Sequence, residues 1–356
     1  MPTDSGSQRF SLNNKDKLMS MKTLEYIITF NTPAFLGNAE QQAQWRTPPF
    51  KALLRQWWRV ALAAETNFKI SVNNLRQQEG ILFGNAALTH EINGKDVANH
   101  SKSKVRIRLS NATGNDAWSP GSQSGVAPLP TGLDTSYAWF GLVNRGRGLR
   151  DKSGIKSVGP ESVRTLRLAI PEEQQEIFQQ VMALINAFGL VGSRSRGGWG
   201  SLRVDGVHDL ASDELLHYSR SLSDCLKGDW AMSLAKDDVG LCVWESKIEF
   251  TTWDQAMRFI AIQRKKVRTA LKTDTDLRPA LGFATPGRMP SPLRWKVKKN
   301  QADKLAVRVF ALPHDIPEDA KKSLSPERLV AAWSIVTKVL DSPELSLERL
   351  EKRITR

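Results

Sequence analysis

Cysteine is scarce. The chain of 356 residues has two, Cys225 and Cys242, far apart and with no CxxC spacing or neighbouring histidine. That excludes a disulfide framework and a zinc finger, and it suits a reducing compartment. Long apolar runs are also missing: no stretch approaches the roughly eighteen apolar residues of a membrane-crossing helix. The polar start MPTDSGSQRFSLNNKDKLMS has no apolar signal core. The expectation is a cytoplasmic protein whose residues 1–20 form a disordered tail.

Catalytic motifs are absent in the same way. The five histidines, His90, His100, His208, His217 and His314, are scattered, and none stands three or four residues from another histidine or from a cysteine. There is no HExxH, no GxxxxGK[ST] and no GxSxG. Acid pairs such as Glu172–Glu173 and Asp237–Asp238 read as a helix start and as exposed surface. These absences predict no catalytic residues, no metal, no cofactor and no small-molecule substrate.

Positive charge is abundant. Lys and Arg number 51 against 37 Asp and Glu, a formal net charge of +14. Such an excess points to a polyanionic partner, most simply nucleic acid, although some proteins are merely basic. No single segment concentrates the charge on an amphipathic face, so a membrane surface is not expected.

Regular structure begins at Thr23, with Leu24, Tyr26, Ile28 and Phe30 alternating as in a strand. The segment RTPPFKALLRQWWRVALAAE, residues 46–65, has prolines for a helix start. Phe50, Leu53, Leu54, Trp57 and Ala61 then form its apolar stripe. Further strands are expected at 81–88, 104–109, 135–143 and 162–169. A helix follows from Pro171 to Phe188, then a glycine-rich loop, then a short strand through WGSLRVDGV. The loop at 110–130 is long and rich in Gly, Ser, Asn and Pro. After residue 207 the pattern restarts less cleanly: a helix near 212–226, a strand at 241–251, a helix at 254–271, two strands, and a helix at 325–341.

The order predicts an α+β fold of two ferredoxin-like (RRM-like) βαββαβ units in tandem. The first spans 21–206 with an insertion over about 90–160. The second, degenerate, spans 207–356, with the boundary near 206–212.

Cations accompany aromatics and glycines in three places. Arg46 precedes the first helix, whose free amides also attract anions. Lys51, Arg55 and Arg59 recur every four residues along it, either as a solvated face or as an RNA-binding one, and Trp57 serves as core or stacking surface. The stretch GLVGSRSRGGWGSL holds Gly192, Ser193, Arg194, Arg196, Gly197, Gly198, Trp199 and Gly200. It follows a helix and lacks GxGxxG spacing, so it is not a dinucleotide loop. Its glycines would let backbone amides face a phosphate that Arg194 and Arg196 neutralise; Trp199 would stack on a base or plug the core. Arg264, Lys265, Lys266 and Arg268 form a third group, as plain helix surface or as RNA contacts. A basic groove with aromatics favours single-stranded RNA over duplex DNA.

The segment FLGNAEQQAQWRTPPFKALLRQWWR resembles the N-terminal signature of the first-subunit family of the Cmr module, from type III-B CRISPR effectors. Phe35, Leu36, Gly37, Arg46, Pro48 or Pro49, Lys51, Leu54, Arg55, Trp57, Trp58 and Arg59 occupy its positions. Phe50 and Ala52 replace the usual Ser and Gly. The glycine loop and the segment MPSPLRW resemble the wider RAMP superfamily, with Gly198–Trp199 in place of Arg–Phe. The resemblance implies a non-catalytic subunit that binds guide RNA near its 3′ end, helps capture target RNA, and contacts other CRISPR effector subunits. Two enzymatic rivals stand beside it. One is a guide-processing ribonuclease with an early histidine, for which His90 comes late; the other is a target-cleaving backbone subunit using Asp116 or Asp134.

Overall fold

The computed structural model describes residues 20–37, 43–92, 95–110, 117–118, 137–138, 157–273, 276–284, 287–300, 302–320 and 322–350. In the first half, β1 (Met21–Phe30) leads to α1 (Thr47–Glu65), whose first turn holds the expected prolines. Strands β2 (Arg106–Leu109) and β3 (Val163–Pro171), helix α3 (Gln175–Phe188) and strand β4 (Leu202–Val204) follow, with α2 (Val72–Phe83) after α1. The four strands form one antiparallel sheet in the order β2-β3-β1-β4. The second half repeats the pattern: β5 (Val243–Ser246), α4 (Trp253–Ala270), β6 (Leu293–Lys299), β7 (Leu305–Ala311), α5 (Pro326–Leu340) and β8 (Leu347–Arg349). Its sheet, also antiparallel, runs β6-β7-β5-β8. Both halves therefore place their second, third, first and fourth strands in that lateral order, in a mixed α+β architecture.

Two local expectations fail. The apolar run expected as a strand at 81–88 is divided: Ile81–Phe83 close α2, and the strand starts only at Asn85. Ser71 caps α2 by accepting from the Asn74 amide, and Gly84 ends it at φ +84°. Its buried residues Leu75, Glu79, Leu82 and Phe83 are helically spaced, but the polar positions between them conceal the period. The helix expected at 212–226 breaks into Ser212–His217 and Leu222–Cys225. Between them Ser219–Ser221 pairs in parallel with Leu234–Asp237, so backbone bonds to a partner strand override helix propensity there. Residues 1–19, nearly all of the 110–130 loop, and the strand expected at 135–143 (apart from 137–138) lie outside the described residues. Among the described residues, no helix is long and apolar enough to cross a membrane.

The halves are joined by more than a linker. Trp57 of α1 stacks on Phe188 at 5.3 Å and reaches Phe310 of β7 at 6.1 Å, so the first core extends into the second sheet. Polar groups reinforce this seam. The Lys296 ammonium of β6 is fully buried and donates to the carbonyls of Ile185 and Asn186 at the end of α3. Cation and helix C-terminus are favourably placed, while burial lowers the lysine pKa well below its usual value. Arg308 of β7, also buried, donates to Glu245 at 2.6–2.8 Å and to Asp209 at 3.3 Å.

Breaking a buried pair from one side strands the other charge. Glu245→Ala is expected to destabilise the chain by about 3–5 kcal/mol in urea unfolding. Asp209 supplies a pH dependence. Burial pushes its carboxyl up, but the Arg308 and Lys298 charges outweigh that and hold it at about 2. This is below an unfolded aspartate, about 3.9, so the unfolded state takes the proton first. The stabilisation is complete above about pH 4 and is lost as pH falls toward 2. Asp209→Asn should remove this part of the acid sensitivity, read as a wild-type-minus-variant difference that shrinks from pH 5 to pH 2.5.

Candidate nucleic-acid interface

The glycine loop, residues 189–201, connects α3 to β4 and lies in the seam. Its amides are largely committed. Ser193 donates to Phe35 O at 3.0 Å, Gly197 to Arg194 O at 2.9 Å, Gly198 to Ser195 O at 3.0 Å and Gly200 to Pro33 O at 2.9 Å. The Ser201 amide donates to the Thr32 hydroxyl. These five donors are not available to a phosphate, which corrects the expectation of a backbone anion cradle. The glycines answer to close packing instead. A Cβ on Gly200 (φ +62°) would fall on Val191 O, and one on Gly192 (φ +95°) would lie 2.8 Å from Phe35 O. Gly198 (φ +99°) faces Met257 and Ile260 of α4, and Gly197 faces the Arg264 guanidinium.

Trp199 plugs the core. It is buried, its indole N–H donates to Ala138 O at 3.0 Å, and it packs edge-on to Phe35. No base can stack on it. Trp57 is core as well. Arg264 is held between the loop and the Tyr137 ring, 5.2 Å from the ring centroid. Arg268 of the same helix donates to Gly282 O at 3.2 Å. Arg264 thus packs α4 against the first half, and Arg268 packs within the second.

On α1 the cationic stripe is not uniformly open. Arg55 and Arg59 grip Glu79 of α2 at 2.5 and 2.9 Å, and that carboxylate is only 2% exposed. Arg59 also lies over the Trp230 ring, 4.1 Å from its centroid. The sequence pattern concealed this because Glu79 sits in the helix whose period was hidden. Arg46 is exposed just before α1, and Lys51 is partly exposed in its first turns, its pKa lowered by partial burial and by Arg55.

Two further arginines join the loop. Arg194 is exposed at φ +60°, and Arg196 is partly buried. The exposed Arg288 acts electrostatically on both. Arg294, on β6, stands beside Arg196, since Gly197 and Trp295 form a parallel bridge. Sequence reasoning passed over Arg288 and Arg294, although Arg294 lies within MPSPLRW, the segment singled out for its resemblance, and Arg288 directly precedes it. Among the described residues, no three metal-ligating side chains cluster.

With this geometry in view, the comparisons define a class: residues 27–203 match the model of the RAMP superfamily. In overall fold it is similar to Cmr1 from Pyrococcus furiosus in its apo crystal form. That similarity covers 93% of this chain and 99% of the other, at TM-score 0.53 and 17% identity. Two cryo-EM structures of type III-B Cmr-beta are more distantly similar. The one bound to cognate target RNA has TM-score 0.45 and 11% identity, covering 89% of this chain and 99% of that one. The one with target RNA, AMPPnP and ssDNA has TM-score 0.44 and 10% identity, covering 89% and 98%. No curated protein sequence matches the chain.

The loop's fit generates a direct test. Gly200→Ala should destabilise by about 2 kcal/mol or more, because left-handed backbone and a collision coincide. Gly206→Ala, at φ +75° with nothing within 4 Å of the added atom, should cost only about 1 kcal/mol. Equal losses in urea unfolding would show that the collision is absorbed.

Proposed function

We propose that this protein is a non-catalytic, RNA-binding subunit of a type III CRISPR ribonucleoprotein effector. It would bind guide RNA near its 3′ end, help admit single-stranded target RNA, and dock against other effector subunits. The observation that carries this is the RAMP domain's loop, pinned so that Arg194 and Arg196 stand with Arg288 and Arg294 on a chain of net charge +14. Arg46 and Lys51 would extend the surface along the start of α1. Arg55 and Arg59 would contribute long-range field more than contacts, since both are committed to Glu79.

The shared 2-3-1-4 strand order, with a helix after the first and third strands, supports reading both halves as ferredoxin-like units. We place the first at 21–206 and the second at 207–356. The fold similarity to Cmr1 supports a structural place in an effector.

The test is a titration of labelled single-stranded RNA at two salt concentrations with Mg²⁺ present, followed by a denaturing gel. Salt-sensitive binding with intact RNA is expected. The double variant Arg194→Ala/Arg196→Ala should bind more weakly, with a salt slope flatter by roughly one to two units. Its melting temperature should be little changed. Discrete cleavage would instead establish a RAMP endoribonuclease. The search would then turn to His90, in the strand Asn85–Ile92, and to Asp116 and Asp134, which lie outside the described residues.

A further inference from the structure

The glycine loop and β6 run side by side at one point. The Trp295 amide donates to Arg196 O at 3.2 Å, and Gly197 and Trp295 form a parallel bridge. The residues before each bridge partner are lateral neighbours, so Arg196 from the first half stands beside Arg294 from the second. The Nε of each is buried and has no acceptor among the described residues. The groups acting on them are cations: Arg288 on Arg196, and Arg196 and Arg59 on Arg294. No carboxylate among the described residues contributes to either.

Nearby acids are engaged elsewhere. Glu79 is held by Arg55 and Arg59, and Asp229 by Arg76 at 3.0 Å. His314 faces both arginines. It is lowered by burial and by their charges, and its Nδ1–H donates to Asp315 O at 2.7 Å, so it brings no negative charge. Burial likewise lowers Arg196 to about 10, with Arg288 adding to the effect.

Partly buried guanidinium groups without a counter-charge are costly, and folded proteins pair them. Planar guanidinium forks match phosphate oxygens two at a time. We propose that Arg196, Arg288 and Arg294 form a phosphate-binding pocket across the seam, and that one phosphate group held there ties the two halves together. Arg288 is the exposed entrance, and Arg196 and Arg294 are the inner wall. Only the source of that phosphate rests on the RNA-binding reading; the pocket itself rests on the unpaired arginines.

The experiment uses the full chain and inorganic phosphate as probe, with thermal unfolding in phosphate and in chloride at matched ionic strength. Wild type should melt about 2 °C or more higher in phosphate. Arg294→Met should lose that difference and, in chloride, melt no lower than wild type, because an uncompensated charge has been removed. The exposed Arg288→Gln, which touches no core, should reduce the phosphate effect at least by half. No phosphate-specific rise in wild type would overturn the pocket. So would an Arg294→Met protein that melts well below wild type and keeps the full rise. Competition by short RNAs ending in a 3′-phosphate or a 3′-hydroxyl then identifies the source: preference for the former assigns a chain terminus, and equal competition assigns a backbone phosphate. A phosphate-specific rise without RNA binding would retain the pocket and refute the proposed function.

Discussion

The fold depends on one buried cation at the joint between its halves. Lys296 places an ammonium group against the last carbonyls of α3, where the helix dipole is negative; the Ile185 carbonyl also accepts from the Gly189 amide. An ammonium moved from water into a protein interior is expensive. It is tolerated only while β6 stays pressed against the first half. That requirement aligns β6 with the glycine loop: Val297 donates to Ser201 Oγ at 2.9 Å and accepts from Asn31 at 3.0 Å, and Trp295 donates to Arg196 O. The halves are thus registered to each other residue by residue, not merely apposed.

The loop's composition follows from that registration. It must pass between β1, α4 and β6 while returning the chain from α3 to β4. Gly192, Gly198 and Gly200 adopt positive φ in space that backbone or side chains already border. Trp199 fills the cavity beneath, and Ser201 and Thr32 close the remaining polar valences. A loop stiffened in this way presents Arg194 and Arg196 in fixed positions. An anion bound there would meet guanidinium groups carried on a backbone that needs no further ordering.

The arginines divide by partner. Arg55, Arg59, Arg308 and Arg349 hold carboxylates and act as internal struts. Arg196 and Arg294 have no such acid among the described residues and accumulate at the seam. A high net charge alone does not distinguish these roles. The difference lies in whether an acid from a distant part of the chain arrives at the same place.

Apolar periodicity made β1, α1, β3 and α3 legible in the sequence, because a buried stripe imposes its spacing directly on residue type. The motif segments at 35–59 and 189–202 identified the superfamily for the same reason: tight packing leaves few residue choices. Helix α2 was hidden because its buried positions include Glu79, a carboxylate admitted to the interior only by Arg55 and Arg59. The break at 219–221 was hidden because its cause is a partner strand at 234–237. Among the candidate site residues, sequence grouped the loop arginines but left Trp57, Trp199 and the α1 stripe ambiguous. Burial and ion pairing resolved each of them, and neither is local. The sequence by itself determined the α+β class, most of the main elements and the charge excess, since these follow from spacing and composition. Only the tertiary structure decided which cations are spent on the protein's own acids and which stand without one among the described residues, because that depends on contacts between residues from 20 to 112 positions apart.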